Sequence, residues 1–253
     1  MKQTRFNKQL ILDFYGRIIG QRDIDYAHKI VAEDYIQHNP FIKSGKVGLI
    51  EILEQLKQIP PEPATKANNT LWMMSEGSLV GTYLKVDFMG KKQIVMDLFR
   101  IEQGMIVEHW DAIQEVNEQT FVEIPTVPVV ENGLQEWDTA KNKGKVATYL
   151  QEVWQKQQYH HLDEFVSSDI IFHVPTLGKG YDELREYQQQ RLLQKVHLVI
   201  AEGNFVMVQC SAVIQGEPHV LYVIYRLEQG KIVESWQVYQ PIPMQMVHAN
   251  GMI

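Results

Sequence analysis

His109 and Asp111 stand two residues apart in the β-forming run Met105 to Val116. Strand side chains alternate, so an imidazole and a carboxylate share one face while Glu108, Trp110 and Ala112 share the other. Residues so spaced have Cα atoms roughly 6.5 Å apart, near enough to act on one small ligand. On a face turned into an apolar interior, loss of water raises the Asp111 carboxyl pKa toward values useful for proton transfer. His109 would then orient a substrate oxygen or stabilise an enolate. Asp97, two residues before Phe99 on the preceding run, is a further candidate for the same face. His38 lies in Tyr35-Ile36-Gln37-His38-Asn39-Pro40, a short extended piece that Pro40 closes, and is a candidate second polar contact. Tyr83 and Trp72, on the earlier β-rich runs, complete the expected substrate-binding set.

The same stretch also shows how the chain is built. Phe99 to Gln114 reads FRIEQGMIVEHWDAIQ and Tyr225 to Gln240 reads YRLEQGKIVESWQVYQ, with nine of sixteen positions identical. A match of that length at one spacing marks an internal duplication. The copies differ where the chemistry would lie: His109 and Asp111 become Ser235 and Gln237, and Asp97 becomes Val223. Arg100 and Glu108 recur as Arg226 and Glu234, which reads as framework. The second copy offers no strong base and is expected to be non-catalytic, with neutral polar and aromatic groups that can bind a ligand.

Each copy needs elements to hold this strand. Phe6, Leu10, Ile11, Phe14, Ile18 and Ile19 predict an amphipathic helix ending near Gly20, and Asp23 can cap a second helix to about Glu33. A third is predicted from Lys46 to Gln58, then a proline-marked loop from Ile59 to Asn69. Thr70 to Ser75, Leu79 to Phe88, Gln93 to Glu102 and Met105 to Val116 are β-rich runs separated by turn residues, an antiparallel meander. The programme repeats after Glu123 to Gly133, with a last predicted helix from Tyr181 to Leu193. Helices followed by strands give an α+β class. The expected division is residues 1–122, a linker at 123–134, and residues 135–253.

The chain has 253 residues, 45% hydrophobic and 22% charged, with a formal charge of -7. The acidic balance and absence of a basic run speak against nucleic acid and anionic membranes as partners. One cysteine, Cys210, excludes an internal disulfide and fits a reducing compartment. Asp13, Arg17 and Gly residues interrupt the apolar positions of the N-terminus, so the reading is cytoplasmic.

The motif Tyr35 to Pro40, then Asp97-Leu98-Phe99-Arg100, then Gly104 with Ile106-Val107-Glu108-His109-Trp110-Asp111, resembles the SnoaL-like polyketide-cyclase group of the nuclear-transport-factor-2-like (NTF2-like) superfamily. The resemblance covers nearly all of the first copy; the second shares the layout and the Glu-Gln-Gly…Ile-Val-Glu-x-Trp frame. It implies two tandem cone-shaped domains, each with helices packed on a curved, mainly antiparallel sheet around an apolar pocket. It also implies that Asp111 matches the family's general acid/base aspartate. A histidine common on the family's second long strand is replaced by Tyr83 and Gln209. Domains of this superfamily pair sheet against sheet, so an intramolecular pseudo-dimer through Trp110 and Trp236, or a homo-oligomer, is expected.

Three functions fit: an acid/base cyclase, isomerase or hydratase acting on an apolar oxygenated substrate, a non-catalytic binder of a small apolar metabolite, or a structural module. His38, His109 and Asp111 form a ligand set known for non-haem iron. Their spacing is not diagnostic, and no metal or cofactor is expected. Cys210, mid-strand, reads as buried filler, and His160-His161 as a surface feature.

Overall fold

The computed structural model of the chain describes residues 2–58, 71–88, 90–116, 136–173 and 180–253. The expected linker at 123–134 and the proline-marked loop lie outside these residues. In the first half α1 (Lys2–Asp13) runs into a π-helical stretch, Phe14–Gly20, followed by α2 (Ile24–Ile30), β1 (Val31–Gln37) and α3 (Lys46–Leu56). Four strands follow: β2 (Leu71–Glu76), β3 (Leu79–Phe88), β4 (Lys91–Glu102) and β5 (Met105–Glu115). The second half repeats the order with α4 (Glu136–Thr148), π-helical Tyr149–Gln155, α5 (Leu162–Phe165), β6 (Val166–His173) and α6 (Tyr181–Gln189). Its meander is β7 (Arg191–Glu202), β8 (Phe205–Ile214), β9 (Glu217–Glu228) and β10 (Lys231–Pro241).

Each half is thus the expected α+β unit, with sheet orders β1-β5-β4-β3-β2 and β6-β10-β9-β8-β7. The meander pairs are antiparallel, while β1 and β6 lie parallel to the last strand of their own sheet. Two helices stop early where a strand takes over the chain. Asp23 caps α2 by accepting from Tyr26 N, but the helix stops at Ile30 because β-branched Val31 turns extended to pair with β5. Likewise α6 stops at Gln189, and Arg191 opens β7. In both places sheet pairing overrides local helix preference.

The repeated Glu-Gln-Gly is a tight hairpin. Gln103 and Gly104 have φ of 51° and 78°, and Gln229 and Gly230 have 49° and 76°, the left-handed pair that a type I′ turn requires. Beyond it Arg100 donates from Nε to Glu108 at 2.7 Å, and Arg226 to Glu234 at 2.5 Å. The identical residues therefore fix turn and register rather than chemistry.

Alternation splits each sheet between two apolar layers. Phe99, Ile101 and Ile106 pack with α1 to α3 in a first core, and Val223, Tyr225 and Ile232 with the second set of helices in another. The opposite faces meet each other: Met96, Leu98, Trp110 and Ala112 share one cluster with Met207, Ile224, Trp236 and Val238. Trp110 and Trp236 are both buried.

The polar contacts across this junction come in reciprocal pairs. Ile113 N donates to Gln240 at 2.8 Å, and Tyr239 N to Gln114 at 3.3 Å. Ala201 N donates to Glu76, and Ser75 N to Glu202. Lys143 pairs with Glu76, and Lys8 with Glu202. Contacts of the form i to j and j to i are what a two-fold axis generates, here within one chain. One position breaks that symmetry by size. A Cβ on Gly81 would lie 2.4 Å from Met207 Sδ and 2.9 Å from Ile200 Cδ1, so the missing side chain admits the opposing one.

Candidate active site

Antiparallel register sets Asp97 directly opposite Asp111, and Phe99 opposite His109, on the face of β4 and β5 toward the helices. Asp97, His109 and Asp111 are 5%, 8% and 5% exposed. His109 stacks on Phe99, with ring centroids 4.5 Å apart, which fixes the imidazole against the phenyl face. The π-helical stretch aims Tyr15 into the same space, and its hydroxyl donates to Asp97 Oδ2 at 2.6 Å. Thr82 Oγ1, on β3 opposite Asp97, donates to the same oxygen at 3.1 Å.

The protonation of His109 follows from its partners. Nε2 lies 3.0 Å from Asp97 Oδ1, and Nδ1 lies 3.1 Å from Gln37 Oε1. Gln37 Oε1 also accepts from the backbone N–H groups of His38 and Asn39, so it is the carbonyl end of that amide. Both ring nitrogens thus face acceptors, an arrangement that suits the imidazolium. Burial alone would lower the His109 pKa, but the hydrogen bond and charge of Asp97, with the charge of Asp111, outweigh it and hold the pKa above the usual value.

Asp111 is the least satisfied group. Its Oδ2 accepts from Asn39 Nδ2 at 2.6 Å, while Oδ1 is buried with no hydrogen-bond partner. Asn39 is itself oriented, because its Oδ1 accepts from Phe41 N at 3.0 Å. Burial raises the Asp111 pKa to about 6; the His109 charge and the Asn39 bond pull down, and the Asp97 charge pushes up. A proton on Asp111 belongs on Oδ1, since Oδ2 already faces an N–H. The site is a fixed ion pair beside a carboxyl whose proton is labile near neutral pH.

Asp97, His109 and Asp111 each bring one potential ligand atom within 4.8 Å of the others. A cation would have to displace a proton from His109, because neither ring nitrogen has a lone pair to spare in this arrangement. The donor set fits proton chemistry better than metal binding.

The other expected residues lie elsewhere. His38 is on the opposite face of the sheet, stacked on Trp110 at 4.9 Å, with Nε2 on Glu108 and Nδ1 on Gly251 O. His173 stacks on Trp236 at 4.5 Å in the second half, so the pair belongs to the frame. Tyr83 and Trp72 are buried in the layer between the two sheets. The register explains this: Thr82, not Tyr83, opposes Asp97. Tyr15, Thr82, Gln37 and Asn39 are the residues that sequence reasoning missed. Gln37 and Asn39 flank His38 in the quoted motif, where their polarity is a signal; Tyr15 and Thr82 carry none.

The far end of the chain packs on the segment that carries Gln37 and Asn39. Val247 N donates to Pro40 O, His248 Nε2 contacts Asn39 O at 2.8 Å, and Asn250 Nδ2 donates to Gln37 O and Ser44 Oγ. Met252 is buried in the layer between the sheets. The tail therefore clamps the backbone of the two residues, Gln37 and Asn39, that hold His109 and Asp111. A surface groove of about 450 Å³ runs along α3 past Lys43, Lys46, Ile50 and Glu54, apart from the cluster.

No protein family and no curated protein matches the chain by sequence. Among solved structures, a SnoaL-like polyketide cyclase from Agrobacterium tumefaciens is similar at 15% identity, covering 39% of this chain and 91% of that one, with a TM-score of 0.34. TsrD from Streptomyces laurentii is 16% identical over 41% of this chain and 90% of its own, with a TM-score of 0.36. An LEH-like epoxide hydrolase from M. tuberculosis is 14% identical over 40% and 84%, at 0.33. Each alignment spans one repeat's worth of the chain. Such distant likenesses carry nothing about activity, which rests on the site alone.

Proposed function

We propose that the first repeat is an acid/base site for a small, apolar, oxygenated molecule, with cyclisation, isomerisation or hydration as the reaction class. The observation that carries this reading is Asp111 Oδ1, buried, unpartnered, and part of a carboxyl with a pKa of about 6. A base or acid poised near the working pH is what proton transfer needs, and such groups contribute roughly 10²–10⁴ in rate. Asp111 gives or takes the proton at Oδ1. His109, kept cationic by Asp97 and Gln37, stabilises negative charge developing on a substrate oxygen by its field, since both its N–H groups are engaged. Asn39 holds the non-reacting oxygen of Asp111. The cluster is buried in this structure, so a substrate needs the elements packed around it to part.

The near-complete burial of the three ionisable residues favours a second reading, a binding protein that holds an apolar metabolite without turnover. Screening epoxides, enones and β-diketones against the full chain and its Asp111→Asn variant separates the two. The enzyme reading expects turnover that falls by about 10²-fold or more in the variant. Turnover that survives in Asp111→Asn removes Asp111 from the mechanism, and binding without turnover favours the second reading. The reciprocal contacts between the sheets support treating the chain as an intramolecular pseudo-dimer; among the described residues no helix is long and apolar enough to cross a membrane.

A further inference from the structure

The interior of the second repeat holds polar groups that the described residues do not satisfy. Ser235 Oγ, Tyr225 OH and Arg191 Nε are buried without a hydrogen-bond partner. Their residues are 1%, 2% and 9% exposed. Ser235 and Tyr225 oppose one another on β10 and β9, on the face toward the helices. Buried polar groups in folded proteins are almost always paired, so three orphans in one interior call for a partner, water or ligand.

Arg191 is the most telling of them. Its guanidinium lies over the Tyr187 ring at 3.7 Å from the centroid, and 5.5 Å from that of Tyr239. Its side chain makes one long polar contact, Nη1 to Tyr187 O at 3.4 Å. Arg100 and Arg226 sit against carboxylates, whereas no carboxylate among the described residues pairs with Arg191. A buried cation without a counter-ion bears its full desolvation cost, which ring faces offset only in part.

The clamp is joined to the rest of the interior. Tyr187 donates to Gln237 Oε1 at 2.6 Å, and Gln237 stands between Ser235 and Tyr239 on one face of β10. From the level of Tyr239 to that of Ser235 is four residues of strand, roughly 13 Å. Val223 and Leu193 belong to the surrounding apolar core.

We propose that the second repeat binds a small monocarboxylate: the carboxylate sits on the Nε edge of Arg191, between Tyr187 and Tyr239, and an apolar body extends toward Ser235 and Tyr225. A planar guanidinium matches a carboxylate in two parallel hydrogen bonds. One buried cation neutralises one negative charge, which selects a monoanion over a phosphate dianion. Ser235 and Tyr225 meet a neutral oxygen at the far end.

Isothermal titration of the full chain at pH 7.5 with 4-phenylbutyrate and its amide tests this. The expected result is one saturable site for the acid, with the amide at least tenfold weaker. Arg191→Met should weaken the acid at least tenfold. Asp111→Asn, in the other repeat, should not alter it, so failure here is distinct from failure of the acid/base reading. If Arg191→Met does not fold, as judged by circular dichroism, Arg191→Lys decides: it keeps the charge, loses the fork, and should weaken binding severalfold. Equal affinity for acid and amide, binding that persists in Arg191→Met or is unchanged in Arg191→Lys, or no uptake at millimolar acid would overturn the proposal and leave Arg191 met by water alone.

Discussion

Where the first repeat holds Asp97, His109 and Asp111 toward its helices, the second holds Val223, Ser235 and Gln237 on the same register positions. The hairpin, the arginine–glutamate bridge and the histidine–tryptophan stack are common to both. The frame is therefore indifferent to what its inner face carries. What distinguishes the halves is the set of partners: Tyr15, Thr82, Gln37 and Asn39 surround the ionic residues of the first. In the second, Tyr187 and Gln237 satisfy each other. Duplication with divergence has separated an interior that titrates near neutral pH from one built around a permanent cation.

Transplanting residues between the halves breaks this comparison most severely. Asp97→Val alone installs the second repeat's residue but strands the His109 cation and removes the shared acceptor of the Tyr15 and Thr82 hydroxyls, which keep only each other. Removing one partner of a buried pair costs about 3–5 kcal/mol, and denaturant unfolding should show a loss of that order. The triple change Asp97→Val, His109→Ser, Asp111→Gln should be less damaging than the single one, because the charges leave together. A triple variant as unstable as the sum of its parts would show that the frame does depend on the ionic set.

A milder exchange sharpens the electrostatic contrast. Asp111 has its carboxyl pKa raised from 3.8 to about 6, so between those values the folded chain binds more protons there than the unfolded chain. Its contribution to stability therefore falls as pH rises through that window. Asp111→Asn should flatten this part of the stability–pH curve and stabilise the chain at pH 7.5 by up to about 3 kcal/mol, at roughly 1.4 kcal/mol per pKa unit. Gln237→Ala in the second repeat should leave the slope untouched.

Gly81 and Met207 test the steric asymmetry of the junction. Gly81→Val would drive side-chain atoms into Met207 and Ile200 and should cost about 1–3 kcal/mol, as overpacking does. Pairing it with Met207→Ala should restore part of the loss. The smallest effect concerns the tail. Asn250→Ala deletes the bonds to Gln37 O and Ser44 Oγ and should cost about 1 kcal/mol. Amide exchange should then quicken over residues 37–44 and remain unchanged over β6 in the second repeat.

The sequence made the frame legible because each repeated residue has a local reason: Gln-Gly for a left-handed turn, arginine and glutamate directly opposed on adjacent strands. It also placed His109 and Asp111 on one face, since alternation is a property of any strand. It misplaced Tyr83 and Trp72 because both faces of these sheets are buried, one against helices and one against the other sheet. With no solvated side, alternation separates the faces without telling which is inward. Tyr15 was illegible for another reason: it reaches the site through a π-helical stretch, which leaves no local signal. Gln37 was visible as a polar residue of the motif, but the parallel β1–β5 pairing that brings it to His109 is a non-local feature.

The account rests on a proton that Asp111 can exchange near neutral pH while its counterpart in the second repeat cannot. Carbon-detected NMR titration of the Asp111 carboxyl, assigned by loss of the resonance in Asp111→Asn, measures this directly. The account predicts an apparent pKa near 6. A midpoint at or below the ordinary carboxylate value would mean an ionised, passive Asp111 and would contradict it.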